Sequence, residues 1–393
     1  MKKLAILGAS LLALGACTTT DSSAPTMPEL ATATDALNAY YNQVPTSSLP
    51  KAPEFLPLNA SKPLTTIILA SCHNEEKADP ALAQIAKEDA DLFLFLGDNV
   101  YGDMDGRSYM SFDVELTELR EAYGDLAASP EFQAIAAKMP ILATWDDHDY
   151  GLNDAGRDFA AKRYAEIIFE TFFHMNDTEV ADRPGVYYSR MVGPEGQRTQ
   201  IIMLDTRFFR SDLMPTDEYG ASGKERYIPS TASGQDLLGD AQWAWLEDEL
   251  KKPADLRLVV SSIQVTPNVH GWEAWDKLPA ERDRLYGLLK STEAEGVIFL
   301  SGDRHTAFLY KDEVNGNYPY YELTASSLNQ VFASDPVSKE MDPDYQIAEG
   351  YTFGNYGEVS IDWENEVVQL TIKDETGADV AVAGFNFAEI KAG

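Results

Sequence analysis

Cysteine and positive charge are both scarce in this chain. It has 2 cysteines in 393 residues, and 31 Lys and Arg against 64 Asp and Glu, a formal net charge of −33. An acid excess of that size repels phosphate backbones and anionic membrane surfaces, which argues against a nucleic-acid partner. A small anionic substrate then needs positive charge supplied locally. The N-terminal apolar run, Leu4 to Ala16, is too short to span a bilayer. The chain also lacks a Gly-x-Ser-x-Gly elbow and a Gly-rich phosphate loop followed by Lys-Ser/Thr, so neither a serine nucleophile nor a P-loop is indicated. What it does have is 44% hydrophobic residues, enough to bury one large core or two modest ones, which excludes a disordered chain.

Lys2 and Lys3 ahead of the short apolar run read as a secretory signal peptide over residues 1–16. The run ends in Leu14-Gly15-Ala16-Cys17, which resembles a bacterial lipobox. By that resemblance Cys17 is lipidated and anchors an exported cell-envelope lipoprotein. Thr18 rather than Asp follows it, which favours the outer membrane, facing the periplasm. Cys72 is then left without an intramolecular disulfide partner, so in an oxidising compartment it is either buried or bound to a metal. Residues 17–61, rich in Thr, Ser, Ala and Pro, read as a tether and strap with one short helix around Asp35 to Tyr41, and residues 62–393 as the folded domain.

Within that domain the pattern is α/β. Apolar, β-rich runs at Leu64 to Ala70, Leu92 to Leu96 and Ile141 to Thr144 alternate with helical stretches, as suits a sheet buried on both faces. Asp154 is placed to cap the next helix. Strands follow at Val186 to Val192, Gln200 to Leu204, Leu256 to Ser262 and Val297 to Leu300. Helices start at Gly239 and Pro279, and Phe208 to Asp236 is a polar insertion forming a lid or rim. After Asp303 the chain reads as hairpins, with strands at Gly357 to Asp362, Val367 to Lys373 and Val380 to Phe387.

The chemically equipped residues fall just past strand ends. Cys72 and His73, Asp98 and Tyr101, Asp146 to Asp149, Asp205 and Arg207, Gln264, and Asp303 and His305 form such a series. One polar strand end is ordinary; six rich in metal-ligand types predict a shared site on one edge of a sheet. Acids, imidazole, thiolate and phenolate together suit a trivalent or transition ion beside a harder oxygen-bound one. Two cations can clamp a phosphate and activate water for in-line attack, and they supply the positive charge the chain lacks.

Gly97-Asp98-Asn99-Val100-Tyr101, Trp145-Asp146-Asp147-His148-Asp149, Leu204-Asp205-Thr206-Arg207, Leu238-Gly239 with Gln242 and Trp245-Leu246, and Ser301-Gly302-Asp303-Arg304-His305 occur in that order. Together they resemble the alkaline phosphatase D (PhoD-type) family of calcineurin-like metallophosphoesterases, over about Ser71 to Ser327. The resemblance implies an α/β/β/α sandwich of two mixed sheets flanked by helices. It makes Asp98 a bridging ligand, Tyr101 a phenolate ligand and Cys72 a thiolate ligand of iron. Asp147 becomes a second-metal ligand and a member of the catalytic set, with Asp303 and His305 further ligands and Asn153 a possible one. His148 becomes the phosphate-facing acid, with Asp146 and Asp149 orienting the ligands around it. The implied cofactors are Fe(3+) and Ca(2+), with zinc and manganese left open.

Arg207, Arg210 and Arg304 are candidate phosphate clamps, with Asp205 a structural acid pairing Arg207. Trp145 reads as core, and His73, His174 and His270 as non-catalytic, while Asn268 and Trp272 look like substrate-rim residues. The large N-terminal β domain of longer family members is missing, and the likeness thins over Tyr150 to Asp154. The expected activity is hydrolysis of phosphate esters by metal-activated water, with no obligate protein partner. A dedicated phosphodiesterase acting on glycerophosphodiesters or teichoic-type polymers is an alternative within enzymes. A non-catalytic metal-binding lipoprotein is an alternative outside them.

Overall fold

A computed structural model describes residues 32–106, 108–110 and 113–392. The signal-peptide and Cys17 expectations therefore lie outside the described residues. No helix among the described residues is long and apolar enough to cross a membrane.

The chain runs α1 (Ala33–Tyr41), β1 (Thr66–Ala70), α2 (Pro80–Ile85), β2 (Leu92–Leu96), β3 (Met104–Asp105), β4 (Ser108–Tyr109), α3 (Thr117–Ala128), α4 (Pro130–Ala136), β5 (Ile141–Thr144), α5 (Asp147–Tyr150) and α6 (Lys162–Phe172). It continues β6 (Tyr188–Val192), β7 (Thr199–Met203), α7 (Gly239–Leu250), β8 (Leu256–Val260), α8 (Pro279–Ser291), β9 (Val297–Ser301), β10 (Phe308–Asp312), β11 (Tyr320–Thr324), β12 (Asn355–Asp362), β13 (Val367–Asp374) and β14 (Asp379–Asn386). Two six-stranded mixed sheets result, ordered β14-β13-β12-β1-β2-β5 and β10-β11-β9-β8-β7-β6. In the first, β1, β2 and β5 are parallel and the C-terminal hairpins add antiparallel strands; in the second, β7, β8, β9 and β11 are parallel, edged by antiparallel β6 and β10.

The central strands carry almost no polar residue because both of their faces are covered. Ile67 to Ala70, Leu92 to Leu96 and Val297 to Leu300 are all fully buried, as parallel strands under helices require. Phe385 of β14 stacks on Tyr321 of β11 with ring centroids 3.8 Å apart, joining the sheets face to face. At the opposite end, the Tyr188 hydroxyl of β6 donates to the Ala143 carbonyl of β5 at 3.0 Å, and Thr144 donates to the Leu204 carbonyl at 2.8 Å. Both sheets thus direct their parallel C-terminal ends toward one region.

The strap expected within residues 17–61 is packed on the body over its described part, and one expectation, at Asp154, is corrected. Thr32 caps α1 by accepting from the Asp35 amide at 3.1 Å, so the helix begins at Ala33 rather than Asp35. Tyr41 is buried and stacks on Tyr164 of α6 at 4.6 Å, and Leu49 and Ala52 are also buried. Asp154 caps no helix: α6 begins at Lys162 after Ala161. The Asp154 carboxylate is instead taken by Arg226 and by the Tyr227 hydroxyl at 2.6 Å. Both partners come from the 208–236 insertion, which supplies rim residues as expected.

Candidate metal centre and active site

Each parallel strand hands its first polar residues to the same place. Two glycines permit the approach. At Gly97 φ is +107°, and a Cβ would lie 2.7 Å from Asp146 Cβ; at Gly302 a Cβ would lie 2.6 Å from Ser71 Oγ. A larger residue at either position would push the strand ends apart. Cys72, Asp98, Asp154, Asp303 and His305 all adopt positive φ without being glycine. Left-handed backbone costs on the order of 1–3 kcal/mol per residue and concentrates where packing holds a functional site in place.

Carboxylates converge here. One oxygen each of Asp98, Asp146, Asp147 and Asp303 lie within 4.8 Å of one another, and so do ligand atoms of Asp98, Asp147 and His148, and of Asp147, Asp154 and Glu273. Cys72 Sγ lies 3.4 Å from Asp98 Oδ2 and 3.0 Å from Ser326 Oγ, and the Tyr101 hydroxyl is 3.5 Å from Asp98 Oδ2. Cys72, Tyr101 and Met104 form a small buried group separate from the main core. Asn153 and His305 line the adjoining cleft.

Around this cluster the remaining acids orient the ligands. Asp149 accepts the amides of Asp98 and Asn99 at 3.2 Å and of Asp146 at 2.6 Å, and so fixes the turns carrying them. Asp146 does more than orient: Oδ1 accepts from Arg207 Nε at 2.5 Å and Ser262 at 2.6 Å, while Oδ2 stays buried without a partner. His148 Nδ1 pairs with Asp103 Oδ1 at 2.6 Å, and its ring stacks on Tyr101 at 4.0 Å and on Tyr109 at 6.1 Å.

The electrostatics are those of crowded, buried acids. Burial, then the neighbouring Cys72 and Asp147, push the Asp98 carboxyl well above the usual range. Burial, then Asp146 and Glu273, do the same to Asp303. Burial lifts the Cys72 thiol to about 12. Burial pulls the His148 imidazole down, but Asp147 and then Asp103 outweigh it and raise it to about 9. Asp147 Oδ1, Asp146 Oδ2 and His305 Nδ1 are buried without hydrogen-bond partners. Orphaned acceptors on crowded acids are a costly arrangement that bound cations relieve. Carboxylate, imidazole, thiol and phenol donors fit a mixed-metal centre.

Arg207 and Arg210 are not on the cleft wall where phosphate clamps would sit. Both are fully buried. Arg207 Nη2 binds Glu273 Oε2 at 2.6 Å, and Arg210 Nη2 binds Glu273 Oε1 at 2.9 Å. Asp205 pairs with the Arg207 backbone amide at 2.9 Å, not with its guanidinium. Among the described residues, the guanidinium groups lining the cleft are those of Arg226 and Arg304. Sequence reading missed Asp103, Glu273, Arg226 and Ser326. None follows an expected strand end; Ser326 lies two residues past β11, a strand that the sequence pattern did not single out.

The family model described as PhoD-like phosphatase matches residues 67–378. Alkaline phosphatase D of Bacillus subtilis (strain 168) is 24% identical over 310 residues, 68% of this chain and 50% of that protein. The chain therefore spans about half the length of that curated relative. A solved structure described as PhoD aligns with a TM-score of 0.63 at 18% identity, over 84% of this chain and 71% of that one. This likeness is one of fold, and it agrees with the two mixed sheets flanked by helices.

Proposed function

Because this chain belongs to the PhoD-like phosphatase family, we propose that it is an exported, lipid-anchored, metal-dependent phosphohydrolase cleaving phosphate esters in the cleft above Asp147 and His148. The carrying observation is the convergence of Asp98, Asp146, Asp147 and Asp303 with buried acceptor atoms left unpaired. In this reading Cys72 and Tyr101 would hold a ferric ion and Asp147 the calcium, with Asp98 shared between the two, Asp303 and His305 ligands to either ion, and Asn153 a further candidate. Cations held by these residues would supply polarisation of a phosphoryl oxygen and a lowered pKa for a water.

The chain's own side chains have separable tasks. His148, held through Nδ1 by Asp103, keeps Nε2 available to protonate the leaving oxygen. Arg226 and Arg304 draw the anionic ester to the cleft mouth. Arg207 positions Asp146 and Glu273 from below. The lipid anchor at Cys17 is supported by the sequence pattern that ends at that residue.

Elemental analysis of protein purified without chelators, followed by rates on para-nitrophenyl and bis-para-nitrophenyl phosphate, tests the reading. Stoichiometric iron and calcium with chelator-sensitive hydrolysis is the expected result, and a faster diester rate would assign a dedicated phosphodiesterase. Bound metal with hydrolysis of neither ester would overturn the enzymatic reading in favour of a metal-binding lipoprotein.

A further inference from the structure

The cleft mouth is aromatic to an extent that core packing does not require. Five aromatic side chains among the described residues are exposed: Tyr40, Tyr109, Tyr219, Trp272 and Phe332. All but Tyr40 line this one cleft, with exposures of 58% for Tyr109, 78% for Tyr219, 37% for Trp272 and 70% for Phe332. Isolated exposed apolar residues need no explanation, but aromatics gathered around a concave site mark a surface waiting for an apolar partner. The cleft holds about 550 Å³, well beyond what a phosphoryl group fills.

The chemistry of the rim narrows the partner. The guanidinium carbons of Arg226 and Arg304 each lie 6.0 Å from the Trp272 ring centroid. Arg226 is held by Asp154, and Arg304 by Glu340 at 2.6 Å. The Arg304 side chain is 8% exposed, and its Nε is buried with no acceptor. A planar π-face beside guanidinium groups is suited to a flat ring bearing acceptor atoms. A short acyclic polyol such as glycerol offers these surfaces little, since it has no flat face to stack and its hydroxyls would lose water against the rings.

We propose that the alcohol half of the substrate carries a planar heteroaromatic ring that stacks on Trp272, so that nucleoside phosphates, rather than glycerol-type phosphates, are the preferred class. The proposal rests on the phosphohydrolase reading of the same cleft. In the reaction the bond from phosphorus to the nucleoside oxygen breaks, water supplies the new oxygen on phosphorus, and a proton goes to the departing alkoxide. Free nucleotides are the relevant form, because the net charge of −33 repels polymeric nucleic acid.

The test compares kcat/KM on adenosine 5′-monophosphate and on glycerol 3-phosphate for the metal-loaded full chain and for Trp272→Ala, Trp272→Phe and Tyr40→Ala. The nucleotide is expected to be favoured, and Trp272→Ala to reduce the nucleotide-to-glycerol ratio about tenfold, mainly through KM, as loss of a stacking face does. Trp272→Phe should keep most of the preference, and Tyr40→Ala, altering an exposed aromatic outside the cleft, should leave the ratio unchanged. A ratio near unity in the unmutated protein, or an equal loss on both esters in Trp272→Ala, would overturn the subsite and leave the phosphohydrolase reading standing. Hydrolysis of neither ester with iron, calcium, zinc or manganese supplied would overturn the phosphohydrolase reading. Calorimetric binding of the same two compounds would then decide the subsite alone, with equal or absent binding counting against it.

Discussion

At the scale of single residues, roles separate by what each side chain touches. Asp103 touches His148 at 2.6 Å and, through its other oxygen, the Asn153 amide at 2.7 Å. It holds the imidazole without entering the carboxylate cluster. Asp103→Asn is expected to lower kcat by about 10- to 100-fold, the usual cost of losing a residue that orients a functional histidine. Metal content by elemental analysis should stay unchanged. Loss of metal together with activity would make Asp103 part of the ligand scaffold instead. Tyr101 is tested differently. If its phenolate and the Cys72 thiolate hold ferric iron, the oxidised protein absorbs visible light by charge transfer. Tyr101→Phe should shift or abolish that band, and a colourless, fully active protein would contradict the assignment.

At the scale of elements, α6 carries a pH sensitivity unrelated to the site. Glu166, fully buried, accepts the Gly185 amide at 2.5 Å, and burial together with Glu170 lifts its carboxyl from 4.5 to about 8 despite the opposing Arg163. Burial lifts Glu170 to about 7. Between the ordinary value of 4.5 and about 8 the folded chain therefore holds a proton at Glu166 that the unfolded chain has lost. More protons bound to the native state means that stability falls as pH rises through that window. Glu166→Gln keeps the acceptor for Gly185 and removes the titration, so its melting temperature should decline less between pH 5 and pH 8 than that of the unmutated protein. Parallel curves would refute this. Elements also explain what the sequence could reveal. Asp98, Asp147 and Asp303 were legible because each follows a buried apolar strand, and parallel strands deliver their C-terminal ends to one edge. Asp103, Glu273 and Arg226 arrive on loops with no periodicity, so nothing in the sequence aims them at the site. Asp154 was misread because a carboxylate before a helical pattern resembles a cap, and only tertiary contact shows it bound to Arg226. Arg207 sits at a strand end like the ligands, but spacing does not distinguish a guanidinium facing the cleft from one buried beneath it.

At the scale of the whole molecule, metal and net charge act together. Cations held by the native site and absent from the unfolded chain add stability by mass action, about 2.7 kcal/mol at a hundredfold excess over Kd. Chelation should therefore lower the melting temperature, and titrating metal back should restore it in a concentration-dependent way. A melting temperature indifferent to chelator would mean that the acid cluster is satisfied by protons alone. The charge of −33 has a kinetic counterpart, because an anionic ester must approach a strongly acidic body before it reaches the Arg226 and Arg304 side chains at the mouth. Raising ionic strength from about 10 to about 150 mM shortens the Debye length from about 30 Å to about 8 Å. That screens the distant acids while leaving contacts within the cleft largely intact. The expected result is a rise in kcat/KM for a dianionic monoester over that range, and a smaller rise for a monoanionic diester, with kcat nearly constant for both. A fall in kcat/KM with salt would mean instead that local attraction at the cleft outweighs repulsion from the whole body.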